Sequence, residues 1–219
     1  MKFMPSQYRE PQSKFFGKRG ISWHVSVCHR KVNGNLHTKS LIHILKSGIQ
    51  DSHTVILIMD HVLRSLKKQH PEIAVAYFRQ DNAGCYHSGS TVLSANTLSK
   101  RSNIHVSRID FSDPQGGKGA CDRKAAQVKA HVKSYINEGN FVTSPIELKK
   151  AIESRGGIKG VSATVVEVVS NSSENCSKLE GISTLNNFVY AKTGFTAYKA
   201  YNIGKGTFFK WNAFESGWS

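Results

Sequence analysis

Ile73-Ala74-Val75-Ala76-Tyr77-Phe78-Arg79-Gln80-Asp81-Asn82-Ala83-Gly84 carries a short, nearly continuous apolar run into a carboxylate and a turn. An uninterrupted run of this length predicts a strand buried on both faces, the kind that occupies the middle of an α/β sheet. Asp81 would then stand at the carboxyl end of a central strand, the edge where such sheets place their ligands. Asp, Asn and Gly also favour turns, so residues 81–84 read equally well as a plain loop.

Working outward, apolar residues at 55, 58, 59, 62, 63 and 66 repeat with helical spacing after the cap candidates Asp51 and Ser52, and Pro71 ends that helix. Asp60 lies off this stripe. Further upstream, Ile21-Ser22-Trp23-His24-Val25-Ser26-Val27 alternates with period two, as Leu41-Ile42-His43-Ile44-Leu45 does more loosely, and Asn33-Gly34-Asn35 predicts the turn of an antiparallel hairpin. Downstream, the pattern predicts a helix over 90–101, a strand over 104–111, a helix over 120–136 with apolar positions 125, 128, 132 and 135, and a helix over 145–155 capped by Ser144. This order predicts an α/β fold with one mixed sheet flanked by helices. Gly156-Gly157, Gly160 and 171–175 break the pattern. The aromatic-rich runs at 188–190, 195–201 and 207–211 then predict a small β-meander, with a domain boundary near 172.

The chain has 219 residues and 30 Lys+Arg against 15 Asp+Glu, a net charge of +15. Charged residues are only 21% of the chain, so the excess comes from a shortage of acids on a sequence rich enough in apolar residues to fold. That balance favours a polyanionic partner. The longest apolar runs fall far short of the roughly 20 residues a bilayer helix needs, and the basic, polar start lacks the apolar stretch of a signal peptide. Cys28, Cys85, Cys121 and Cys176 are dispersed, which predicts free thiols in a reducing compartment. Asn171 and Asn175 match the glycosylation pattern but read as loop residues.

A second candidate segment is Gly116-Gly117-Lys118-Gly119-Ala120-Cys121-Asp122-Arg123-Lys124. Asp122 falls three residues before Ala125, so it is expected on the buried side of its helix, where it could join Asp81 in holding a divalent ion through oxygen ligands. The bland reading is an acid complementing the helix dipole. A phosphate-binding loop is rejected, because Ser112 and Gly119 stand where that motif needs Gly and Ser/Thr. Lys118, Arg123, Lys124, Lys129 and Lys133, with Lys14, Lys18 and Arg19 ahead of the hairpin, supply cations that could track phosphates. Cys28-His29 and Cys85-x-His87 lack the paired spacing of a structural zinc site.

Three segments carry a resemblance: 18–24, 79–87 and 109–126. They resemble transposon-derived proteins, and the element order resembles the ribonuclease-H-like fold of DDE-type transposases and retroviral integrases. The resemblance implies an acidic triad that binds two Mg²⁺ or Mn²⁺ ions and acts on DNA phosphodiesters. Asp81 matches the second acid and Asp122 the third, with Asp113 as an accessory acid. Lys18, Arg19, Lys118, Arg123, Lys124 and Lys129 would contact the nucleic acid. The first acid has no match: Met1-Lys2-Phe3-Met4 looks like the tail of the first strand, which places that acid upstream of Met1 and cripples the metal site.

The sequence therefore predicts a ribonuclease-H-like core over 1–172 and a β-rich appendage over 173–219. Its expected activity is transposase- or integrase-like. The alternative is a catalytically inactive DNA-binding protein derived from a mobile element. DNA is the expected partner, self-association is compatible with either, and the expected site of action is nuclear, with no membrane involvement.

Overall fold

In the computed structural model, Asn33 and Gly34 turn the chain with φ of +48° and +82°, the left-handed pair that a two-residue hairpin needs. The structure describes residues 1–7, 20–46, 50–112, 119–168, 179, 181–201 and 203–217. The turn joins β2 (Ile21–Val32) to β3 (Asn35–Leu45), and both strands run past the ends set by their alternation. The short β1 (Lys2–Phe3) pairs antiparallel with β2.

Three helices and two further strands follow in the expected order. They are α1 (Ser52–Gln69), β4 (Val75–Gln80), α2 (Gly89–Ser102), β5 (His105–Phe111) and α3 (Ala120–Asn137). The N-cap of α1 is Asp51, whose Oδ1 accepts the Thr54 N–H at 2.8 Å. Helix α4 (Pro145–Glu153) starts with a capping box: Ser144 Oγ accepts Glu147 N–H, and the Glu147 carboxylate accepts Ser144 N–H. Then come β6 (Val161–Val166), β7 (Asn187–Ala191), β8 (Gly194–Tyr198) and β9 (Thr207–Lys210).

The strands form two mixed sheets, in the orders β1-β2-β3-β6 and β4-β5-β7-β8-β9. A single sheet was expected. Strand β6, which the sequence pattern does not announce, runs parallel to β3 from Ser40↔Val161 to Leu45↔Val166. The meander is not an appendage. Strand β7 pairs antiparallel with β5 (Arg108↔Val189, Ile109↔Phe188, Asp110↔Asn187), so β7–β9 extend the sheet that β4 and β5 begin.

The chain divides into two compact units. Unit 1 comprises Met1–Ile49 with Gly117–Ser170, and unit 2 comprises Gln50–Gly116 with Asn171–Ser219. In unit 1, α3 packs on β2 and α4, and α4 packs on β3 and β6. Its core centres on Trp23, Ile42, Ile44, Val128, Val132, Leu148 and Ile152, and the apolar stripe of α3 supplies Ala125, Val128, Val132 and Ile136. In unit 2, α2 packs on α1, β5 and β7. Leu63, Val92, Leu98, Ile109, Phe188 and Phe195 fill the interior.

Strand β4 departs from expectation. It forms the edge of its sheet and its burial alternates, with Val75 45% and Tyr77 65% exposed. Its inward residues Ala76 and Phe78 pack against the unit 2 core. The apolar run alone could not show that this strand has a neighbour on one edge only. Asp60 departs the other way: it is 2% exposed, with Arg64 Nη2 at 2.8 Å and Arg101 Nη2 at 3.9 Å from its Oδ2. Packing of α2 on α1 buries a position that lies off the stripe of α1 itself.

Candidate nucleic-acid interface

Asp81 follows β4 directly, as expected, and is exposed. Its Oδ1 accepts the N–H of Asn82 at 2.8 Å, so the carboxylate helps shape the turn that starts beside it. The turn continues with Tyr86 N–H and His87 N–H donating to the Ala83 carbonyl, and Ser88 then caps α2 by accepting Thr91 N–H.

His87 anchors this loop to the core. Its ring stacks on Phe111 with centroids 4.2 Å apart, and Nε2–H donates to the Leu185 carbonyl at 2.9 Å. Nδ1 meets the side-chain oxygen Oδ1 of Asn82. Burial pushes the His87 pKa down, against the Leu185 and Ile182 carbonyls, which raise it. Both ring nitrogens are thus engaged within the protein, which bears against a Cys85/His87 zinc site. Cys28, Cys85 and Cys121 are free thiols, and burial raises all three, Cys28 to about 11. Raised thiols are poor nucleophiles. Cys176 lies outside the described residues.

Asp122 is on the first turn of α3, as expected, but it is exposed rather than buried. Its Oδ2 accepts the Gly119 N–H at 2.9 Å, so it closes the helix N-terminus on itself. The three-residue step from Ala125 put Asp122 in phase with the apolar stripe, but at a helix end the free N–H groups compete for a carboxylate and win here. Asp81 belongs to unit 2 and Asp122 to unit 1, so neither compact unit contains the pair. Asp113, Lys118, Lys18 and Arg19 lie outside the described residues.

Of the other expected contacts, Arg123 and Lys129 are exposed on α3, with Lys133 one turn beyond Lys129. Lys124 is half-buried and donates to Gln127 Oε1 at 2.8 Å. Among the described residues, no three His, Cys, Asp or Glu side chains converge to hold a metal ion. The Gly119 N–H engages one oxygen of Asp122, and the other oxygen and the Asp81 Oδ2 are not hydrogen-bonded within the described residues.

Sequence reasoning gave no role to Asp110 or Arg108. In β5, Arg108 Nε lies 2.8 Å from Asp110 Oδ2, and Asn187 donates to Asp110 Oδ1. The Arg108 guanidinium also lies over the rings of Tyr77, at 5.4 Å, and Tyr201, at 4.5 Å. The period-two spacing of 108 and 110 could have put them on one face, but Tyr77, Asn187 and Tyr201 reach that face only through strand pairing.

The fold is a mixed α/β arrangement of two helix-flanked sheets with a cationic surface, and no helix among the described residues is long and apolar enough to cross a membrane. The chain belongs to the family described as Domain of unknown function (DUF8701), which it matches over residues 3–190. Comparison with curated proteins and with solved structures gives no match.

Proposed function

We propose that this chain is a DNA-binding protein related to DDE-type transposases, with a ribonuclease-H-like ancestry, whose task is to hold a phosphodiester backbone rather than cut it. The observation that carries this reading is the charge: 30 basic against 15 acidic residues on a folded chain. Exposed cations occur in both units, at Arg123, Lys129 and Lys133 in unit 1 and at Lys100, Lys192, Lys199, Lys205 and Lys210 in unit 2. Neutralising phosphates with such groups releases condensed counterions, a driving force that needs no metal centre. The engagement of Asp122 with the Gly119 N–H at the start of α3 favours holding over cutting.

A cutting activity remains the second reading, favoured by Asp81 at the carboxyl end of the parallel pair β4–β5. Supercoiled plasmid incubated with the protein in Mg²⁺ or Mn²⁺ separates the two. The expected result is a mobility shift without nicks, the same for wild type, Asp81→Asn and Asp122→Ala. Metal-dependent nicks that disappear in Asp81→Asn would overturn the holding proposal in favour of the nuclease.

A further inference from the structure

Unit 2 contains an open cleft of about 1030 Å³ at the end of its sheet remote from Asp81. Its walls come from the last turns of α2, the start of β5, the β7–β8 turn and the end of β9. Lys100, Lys192 and Lys210 line it, and among the described residues no Asp or Glu does. None of the three ammonium groups has an ion-pair partner among the described residues.

The cleft is also aromatic. Phe208 lies on its wall, 50% exposed, and Trp211 stands beside it, half-buried. Trp211 is held firmly: its ring is stacked on Tyr190 at 6.0 Å with a 2° interplanar angle, and Nε1–H donates to the Ala191 carbonyl at 3.2 Å. The opposite wall is equally fixed, because Ser99 Oγ donates to Ala95 O at 2.6 Å and accepts Val106 N–H at 2.9 Å, tying α2 to β5. Asn96 and Asn212 add side-chain amides able to meet base edges.

We propose that this cleft binds a single-stranded nucleic acid, with unpaired bases stacking on Phe208 and Trp211 and phosphates meeting Lys100, Lys192 and Lys210. The proposal rests on the reading of the chain as a nucleic-acid binder and names the form of nucleic acid it takes. Cations alone would serve a duplex equally well. Aromatic faces are of use only to bases that are not already stacked and paired, and a duplex hides its bases.

The test is fluorescence anisotropy with labelled dT20, rU20, an abasic strand of equal length and a duplex of equal length. Wild type is compared with Phe208→Ala and with the triple variant Lys100→Gln/Lys192→Gln/Lys210→Gln, whose changes are all at exposed positions. Wild type is expected to bind dT20 or rU20 more tightly than the abasic strand and the duplex, and the tighter of the two names the sugar. Phe208→Ala should weaken the single-strand complex at least about fivefold. The triple variant should flatten its log–log salt slope by about 2. Equal affinity for the abasic strand, or unchanged single-strand binding in the triple variant, overturns the cleft assignment while DNA binding stands. Failure of wild type to bind any of the four overturns both.

Discussion

Replacing Phe188 by alanine is expected to cost about 3–5 kcal/mol of folding stability, the range for removing a large buried aromatic side chain. Phe188 has no exposed surface, and its ring lies 5.9 Å from Phe111 and 6.2 Å from Phe195. It pairs with Ile109 across the β5–β7 junction, so its side chain belongs to the same interior as Leu63, Val92 and Leu98. Urea denaturation should show a lower midpoint with an unchanged slope. A separate C-terminal appendage would behave differently: the mutation would melt a minor transition and leave the one from α1, α2 and β4–β5 in place. One large shift of the unit 2 transition is the result expected from the observed pairing.

The second large effect concerns pH. His24 sits on β2, where desolvation and, to a lesser extent, the Met1 amino group lower its pKa from 6.5 to about 4. The unfolded chain therefore takes up a proton near pH 6.5 that the folded chain refuses until about pH 4. The associated stability is fully present above pH 6.5 and is lost as pH falls through that window. At about 1.4 kcal/mol per unit, the loss amounts to up to about 3 kcal/mol. His43, the ring neighbour across the β2–β3 pair, lies 6.3 Å away edge-on, so a proton on His24 also meets a second imidazole. Denaturant titrations at pH 7 and pH 4.5 check this. His24→Gln should remove about 2–3 kcal/mol of the acid-induced loss, and an identical loss in wild type and variant would contradict the assignment.

Much of the fold was legible because its signals are local. The stripes of α1 and α3, the Asn33-Gly34 turn, and the caps at Asp51 and Ser144 each depend on residues within a turn or two of one another. Strand β6 was missed although Val161-Ser162-Ala163-Thr164 alternates, because Gly156-Gly157 and Gly160 just before it read as the end of ordered pattern. Those glycines instead take positive φ values of +79°, +76° and +74° and bring the chain from α4 back to β3. The edge position of β4 and the burial of Asp60 depend on partners far along the chain, and no local pattern records them.

The candidate site was less legible for the same reason. Asp81 and Asp122 are where the motifs put them along the chain, but their roles are set by the N–H groups they meet. The cleft in unit 2 had no local signature at all. Lys100, Lys192 and Lys210 come from three separate elements, and only the β7–β8–β9 pairing and the seat of α2 on β5 assemble them. A residue count could establish that the cations exceed the acids, but not where they stand without a partner.

The most direct test of the central claim is the salt dependence of DNA binding, measured by anisotropy on a labelled duplex that carries a single-stranded overhang. If the cationic surface holds a phosphodiester backbone through six or so contacts, the logarithm of affinity falls linearly with the logarithm of salt. The slope should be about −5, and affinity should drop about a thousandfold between 50 and 200 mM. No binding at 50 mM, or an affinity that salt does not change, would contradict the account.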